Sequence, residues 1–199
     1  MSAAHPPAEH PHTSTGLDNA KLAMWAFLGS ECLFFGSFIS TYLLYRNVTG
    51  DGPTSADLYD IPYTSISSFV LLMSSLTMVL ALSSVQNGDR RAMRIWLMAT
   101  AFLGLTFIGG QVFEFTTFVE EGLTLSTSAF GSSFFVLTGF HGAHVTIGIL
   151  MLLGLTVMSS FGRLGPDDSR PVEVVGLYWH FVDIVWIVIF TVIYLIPSG

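Results

Sequence analysis

Five long apolar stretches limit what this chain can become. They cover residues 21–45, 63–85, 95–118, 130–161 and 174–196. Crossing a hydrocarbon core takes roughly 20 apolar residues at about 1.5 Å of rise each, and every stretch meets that length. Lipid offers the backbone no hydrogen bonds, so spans of this kind are helices. The expected fold is an all-α integral membrane protein, with five transmembrane helices in one bundle over residues 21–199. Composition agrees: 51% of the 199 residues are hydrophobic and 11% are charged, where a soluble domain carries about 25% charged residues. The fourth stretch is longer than a bilayer is thick, so it should tilt or project.

The connections RNVTGDGPTSADLYDIP, QNGDRRAMR, VEEGLTLSTS and GRLGPDDSRP are too short to hold a second domain, and no internal repeat is visible. The first 20 residues are polar and rich in His and Pro, and read as a disordered tail. His5, His10 and His12 fit a solvated tail better than a weak metal site. The tail has neither the basic and apolar regions of a cleavable signal nor the Arg of a transit peptide. Cys32 is the single cysteine and has no internal partner for a disulfide. The net charge of −7, with seven scattered basic residues, gives no sign of a nucleic-acid partner.

Basic residues near the span ends set orientation. Lys21, Arg90, Arg91, Arg94, Arg163 and Arg170 fall on one side of a five-span chain, and Arg46 falls on the other. The N-terminus is therefore expected inside and the C-terminus outside. The outer loops carry Asp51, Asp57, Asp60, Glu120 and Glu121. Gly29, Gly36 and Ser40 line one stripe of the first span, and Gly139, Gly142 and Thr146 line one stripe of the fourth. Small residues let helices approach closely in lipid, and the fourth-span stripe is the expected packing face.

Six ionisable side chains lie within the spans: Glu31, Glu114, His141, His144, His180 and Asp183. A charge at a bilayer centre costs at least ~2.5 kcal/mol, so these groups should face the bundle interior. His141 and His144 share a helix face, as do His180 and Asp183. Depth along the spans predicts two layers, Glu31 with His180 and Asp183, and Glu114 with His141. Gln111 adds a polar group one turn from Glu114, at a position that could equally be a helix end near the interface.

Two roles compete for this set. One is structural, with His–carboxylate contacts fixing helix register. The other is chemical: a proton route, or ligands for a haem or metal. Haem iron takes His ligands, but a metal site needs convergent donors, and these histidines lie at different depths on two helices. Two layers with a gap do not make a complete proton wire. No phosphate loop, nucleophile elbow or zinc-type Cys set occurs.

Four motifs, in order, resemble one family. SECLFFGSF, with Glu31, resembles the helix bearing an intramembrane glutamate in subunit III of haem–copper oxidases. QVFEF, FFVLTGFHGAHVTIG and YWHFVDIVWIVIFTVIYL resemble later helices of the same subunit. The likeness runs from about residue 22 to the end. The mitochondrial type has seven helices; this chain resembles the five-helix bacterial type, which lacks the first two.

The resemblance implies a non-catalytic core subunit of a proton-pumping terminal oxidase that reduces oxygen to water in a bacterial inner membrane. It implies no cofactor in this chain, haem and copper in partner subunits, and bound phospholipid. The implied main partner is subunit I, followed by subunit II and small subunits. The implied role is to sustain proton uptake and protect the haem–copper centre. Glu31, Gln111, Glu114, His141, His144, His180 and Asp183 are then intramembrane polar residues of structural character. Cytochrome c is the favoured electron donor and quinol the alternative. A freestanding membrane cytochrome and a transporter fit less well.

Overall fold

Short polar residues set where the helices begin. Asp18 accepts a hydrogen bond from the Ala20 amide (2.8 Å), Asp60 from Tyr63 (3.1 Å), Asp89 from Ala92 (2.9 Å) and Ser128 from Gly131 (3.0 Å). Each satisfies an amide that a first helical turn leaves unpaired. In this computed structural model, which describes residues 18–50, 52–53, 59–165 and 169–196, these caps open four helices. They are α1 (Asn19–Tyr45), α2 (Ile61–Gln86), α3 (Arg90–Glu120) and α4 (Ala129–Ser160). The fifth, α5 (Arg170–Phe190), carries Pro171 in its first turn and runs into a π-helical turn, Thr191–Leu195. Gly88 and Gly122 end α2 and α3 with φ of 79° and 94°, a conformation that favours glycine.

All five helices are long and apolar enough to cross a membrane, and the described residues contain no strand. The chain is a multi-pass membrane protein. At 32 residues α4 is the longest helix, and at 1.5 Å per residue it is about 48 Å long, well beyond a hydrocarbon core. His5, His10, His12, Asp51 and Asp57 lie outside the described residues. Asp18, Asn19 and Ala20, grouped with the tail on sequence, instead cap and begin α1.

The last helix is the core of the bundle. In α5, 56% of the most apolar window is buried, against 11% in α1. It packs on α1, α2 and α4, while α3 lies against α2 and α4. Ion pairs Lys21–Glu173 and Asp18–Arg170 join the starts of α1 and α5.

Close packing centres on Trp179 of α5, which is fully buried. A Cβ on Gly104 of α3 would come within 2.7 Å of its indole, and one on Gly148 of α4 within 2.8 Å. The stripe expected to pack, Gly139–Gly142–Thr146, is not the close contact. A Cβ on Gly139 would meet nothing within 4 Å, and one on Gly142 would meet only Ile108 at 3.9 Å. Gly29 and Gly36 also meet nothing within 4 Å. The indole's bulk, rather than a repeat of small residues, decides where glycine is needed.

Candidate functional site

Among the described residues, the acidic and histidine side chains at Glu31, Glu114, His141, His144, His180 and Asp183 fall into three separate clusters and one isolated ring. The first joins α1 to α4. Glu31 lies 3.2 Å from Nε2 of His144, close enough to attract but not aligned as a hydrogen bond. The imidazole is held from its other side, where Nδ1 donates to the Phe140 carbonyl at 2.8 Å. A carbonyl only accepts, so Nδ1 carries the hydrogen and Nε2 is left to face the carboxylate. Tyr178 of α5 donates to the His144 carbonyl at 3.0 Å and brings a third helix to this cluster. The expected layer of Glu31 with His180 and Asp183 does not form; His144 is the partner. His180 and Asp183 instead meet α2, through Ser75.

The second cluster is on that α2–α5 contact. Ser75 of α2 bonds Nδ1 of His180 at 3.0 Å and donates to Asp183. His180 and Asp183 thus meet through one hydroxyl on the neighbouring helix. Two indoles reinforce the contact: Trp179 donates to Ser74 and Trp186 to Ser68, both at 2.9 Å. Residue numbers rise along α2 as they fall along α5, as an antiparallel pair requires.

The third cluster surrounds Glu114 on α3. Its Oε1 accepts from Thr64 (2.9 Å) and Tyr194 (2.8 Å), and its Oε2 accepts from Gln111 (3.1 Å). Three donors from α2, α3 and the π-helical turn compensate this 5%-exposed group. Gln111 is buried and bonded to Glu114, so it is part of this cluster rather than an interfacial helix end. Beside it Tyr59, in the connection before α2, sits 3.3 Å from the Tyr42 hydroxyl and stacks near Tyr194. Burial first, and then the Tyr42 phenol, push the Tyr59 hydroxyl well above its ordinary pKa of 10.0.

His141, the expected partner of Glu114, hydrogen-bonds to nothing among the described residues. Its ring stacks on Trp186 at 4.9 Å and meets Phe107 edge-on at 6.0 Å. It is an aromatic packing element of α4. Glu114 draws its donors from Thr64, Gln111 and Tyr194 instead.

Among the described residues no three His, Cys, Asp or Glu side chains gather as a metal would require. His144 faces Glu31, His141 is enclosed by rings, and His180 is tied to Ser75. Reading titratable residues alone misses the hydroxyl and indole partners: Thr64, Ser68, Ser74, Ser75, Trp179, Trp186 and Tyr194. The recurrence of Ser at 67, 68, 74 and 75 in an apolar helix is the one sequence signal that points to them.

Fold and site together define a class: a five-helix membrane bundle whose buried polar groups bond helix to helix and leave no convergent ligand set among the described residues. The family model for cytochrome c oxidase subunit III matches residues 7–198. The chain is 42% identical to cytochrome c oxidase subunit 3 of Alkalihalophilus pseudofirmus, over 96% of this chain and 93% of that protein. It is 40% identical to quinol oxidase subunit 3 of Bacillus subtilis, over 89% and 87%. It is 38% identical to cytochrome bo(3) ubiquinol oxidase subunit 3 of Pseudomonas aeruginosa, over 96% and 90%. The chain belongs to the cytochrome c oxidase subunit III family, the third subunits of haem–copper terminal oxidases.

Proposed function

We propose that this chain is a supporting subunit with no redox centre of its own, in a proton-pumping oxidase of a bacterial inner membrane. Haem and copper are held by partner subunits, with subunit I the main contact and subunit II and small subunits also present. The chain sustains proton uptake by subunit I and protects the haem–copper centre during turnover. Phospholipid binds in its grooves. The N-terminus lies inside and the C-terminus outside, in keeping with the six-to-one distribution of basic residues. The observation that carries the reading is the local commitment of the buried groups. Glu31 is matched by His144, Glu114 by three donors, and His180 with Asp183 by Ser75.

Affinity purification through a tag on this chain tests the reading. Haem-bearing partners should co-purify, and the chain stripped of them should show no Soret band. A haem retained by the isolated chain would overturn the proposal. The electron donor we infer is cytochrome c. Relatives named for quinol oxidation are equally similar, which makes quinol the second reading. Oxygen uptake by the purified complex with reduced cytochrome c, and then with a quinol, separates the two.

A further inference from the structure

We propose that His180, Ser75 and Asp183 form a proton relay that loads the buried Asp183 carboxyl from a cavity between α1, α2 and α5.

The Ser75 hydroxyl has one hydrogen and two neighbours, His180 Nδ1 at 3.0 Å and Asp183 Oδ2. An ionised carboxylate can only accept. With Asp183 ionised, Ser75 therefore donates to Oδ2, and Nδ1–H donates to Ser75. The lone pair of the neutral imidazole is then on Nε2. No hydrogen bond among the described residues engages Nε2, and it is not one of the atoms sealed from solvent. His180 lines an open cavity of about 450 Å³. Lys21 and Trp25 of α1, Gln86 of α2, and Glu173 and Leu177 of α5 share its lining. The space accommodates several waters, and Lys21, Gln86, Glu173 and His180 are the polar groups in an otherwise apolar lining.

Asp183 is 3% exposed, and its Oδ1 has no partner among the described residues. Ser75 is its one donor among the described residues, where Glu114 has three. A buried carboxylate with so little compensation gains from taking a proton. The route balances. A hydronium ion in the cavity gives a proton to Nε2 and is left as water, Nδ1–H passes to Ser75 Oγ, and the original Ser75 hydrogen passes to Oδ2. The products are a neutral imidazole in the opposite tautomer and a carboxylic acid, with one proton gained. Asp183 then donates to Ser75 and Ser75 donates to Nδ1, so the same heavy-atom positions serve both states.

The other charged groups leave this equilibrium to the relay. Lys21 and Glu173, which share the cavity lining with His180, are paired with each other. On α1 and α4, Glu31 is paired with His144, and His141 is enclosed by rings. The α2 wall of the cavity is uncharged, formed by Met78, Val79, Leu82 and Gln86.

Infrared difference spectra of the purified oxidase complex, taken across a pH titration in H₂O and D₂O, test the relay. A protonated-carboxyl band should grow as pH falls, shift in D₂O and vanish in Asp183→Asn. In Ser75→Ala the band should persist, with its exchange into D₂O slowed about tenfold by removal of the hydrogen-bonded link. His180→Gln should slow exchange similarly, because its amide can bond Ser75 but cannot take up a proton; it also serves if Ser75→Ala does not assemble. A titrating band unaffected by Asp183→Asn, or exchange unchanged in both relay variants, overturns the proposal. The band belongs to this chain, so the result does not depend on the electron donor.

Discussion

Tyr194 donates its phenolic hydrogen to Glu114 across 2.8 Å, from the π-helical turn that follows α5. The wider turn buries Ile193 and Tyr194 side by side. Single-turn π segments often mark places where a helix must re-aim a side chain. Here it directs a phenol at a buried carboxyl on α3.

Tyr194→Phe removes one of the three donors to Glu114 without changing the ring. The expected loss of stability is about 1–3 kcal/mol, the usual cost of leaving a buried polar group short of a partner. Thermal unfolding of the detergent-solubilised protein reads it. An unchanged midpoint would mean that Thr64 and Gln111 suffice.

Gly104→Ala and Gly148→Ala place a methyl group against the Trp179 indole, at 2.7 and 2.8 Å. Overpacking of this kind costs about 1–3 kcal/mol. Gly36→Ala is the control, because its Cβ would meet nothing within 4 Å. The midpoints should fall for the first two variants and hold for the third. Equal loss in all three would locate the effect outside the Trp179 contact.

Glu31→Gln and Glu31→Ala separate charge from contact. Gln can donate an N–H to the Nε2 of His144, which Glu31 faces without a hydrogen bond, whereas Ala removes the side chain from beside the ring. Glu31→Gln should hold or raise stability and Glu31→Ala should lose about 0.5–3 kcal/mol. Under the proposed function, the haem spectrum of both complexes stays normal. Oxygen consumption starts at the wild-type rate and decays faster with turnover in Glu31→Ala, as an oxygen electrode would record.

Tyr59 supplies a pH dependence from outside the spans. Burial, and then Tyr42, raise its hydroxyl well above 10.0, so the folded state holds this proton more tightly than the unfolded chain. Its contribution to stability is intact below the unfolded value of about 10 and is lost as pH climbs toward the folded one. Tyr59→Phe should flatten that alkaline loss, seen in unfolding midpoints measured above and below pH ~10. An identical slope would rule out Tyr59 as its source.

The helices are legible in the sequence because lipid leaves long apolar runs no other structure. The interior placement of Glu114, His141 and Asp183 is legible for a related reason, since lipid penalises their exposure; that of Gln111 is not, because its place near a helix end fits an interface as well. Their partners are not. Depth places Glu31 level with His180, but neighbours are decided by which way each helix is rotated. That rotation is set by apolar shape, above all by Trp179 between Gly104 and Gly148. The hydroxyls escape notice because Ser and Thr are common in membrane helices and usually bond their own backbone, as Ser65 and Thr106 do here. Ser68 and Ser75 differ only in what α5 brings against them.

The most buried helix is also the last of the five along the chain. Insertion of α1 to α4 leaves Ser68, Ser74 and Ser75 without their α5 partners and leaves the hollow between Gly104 and Gly148 empty. The bundle therefore acquires its centre only with the fifth helix. Until then the space that the Trp179 indole fills lies open, and of these three serines Ser75 alone has no backbone carbonyl of its own helix to bond among the described residues.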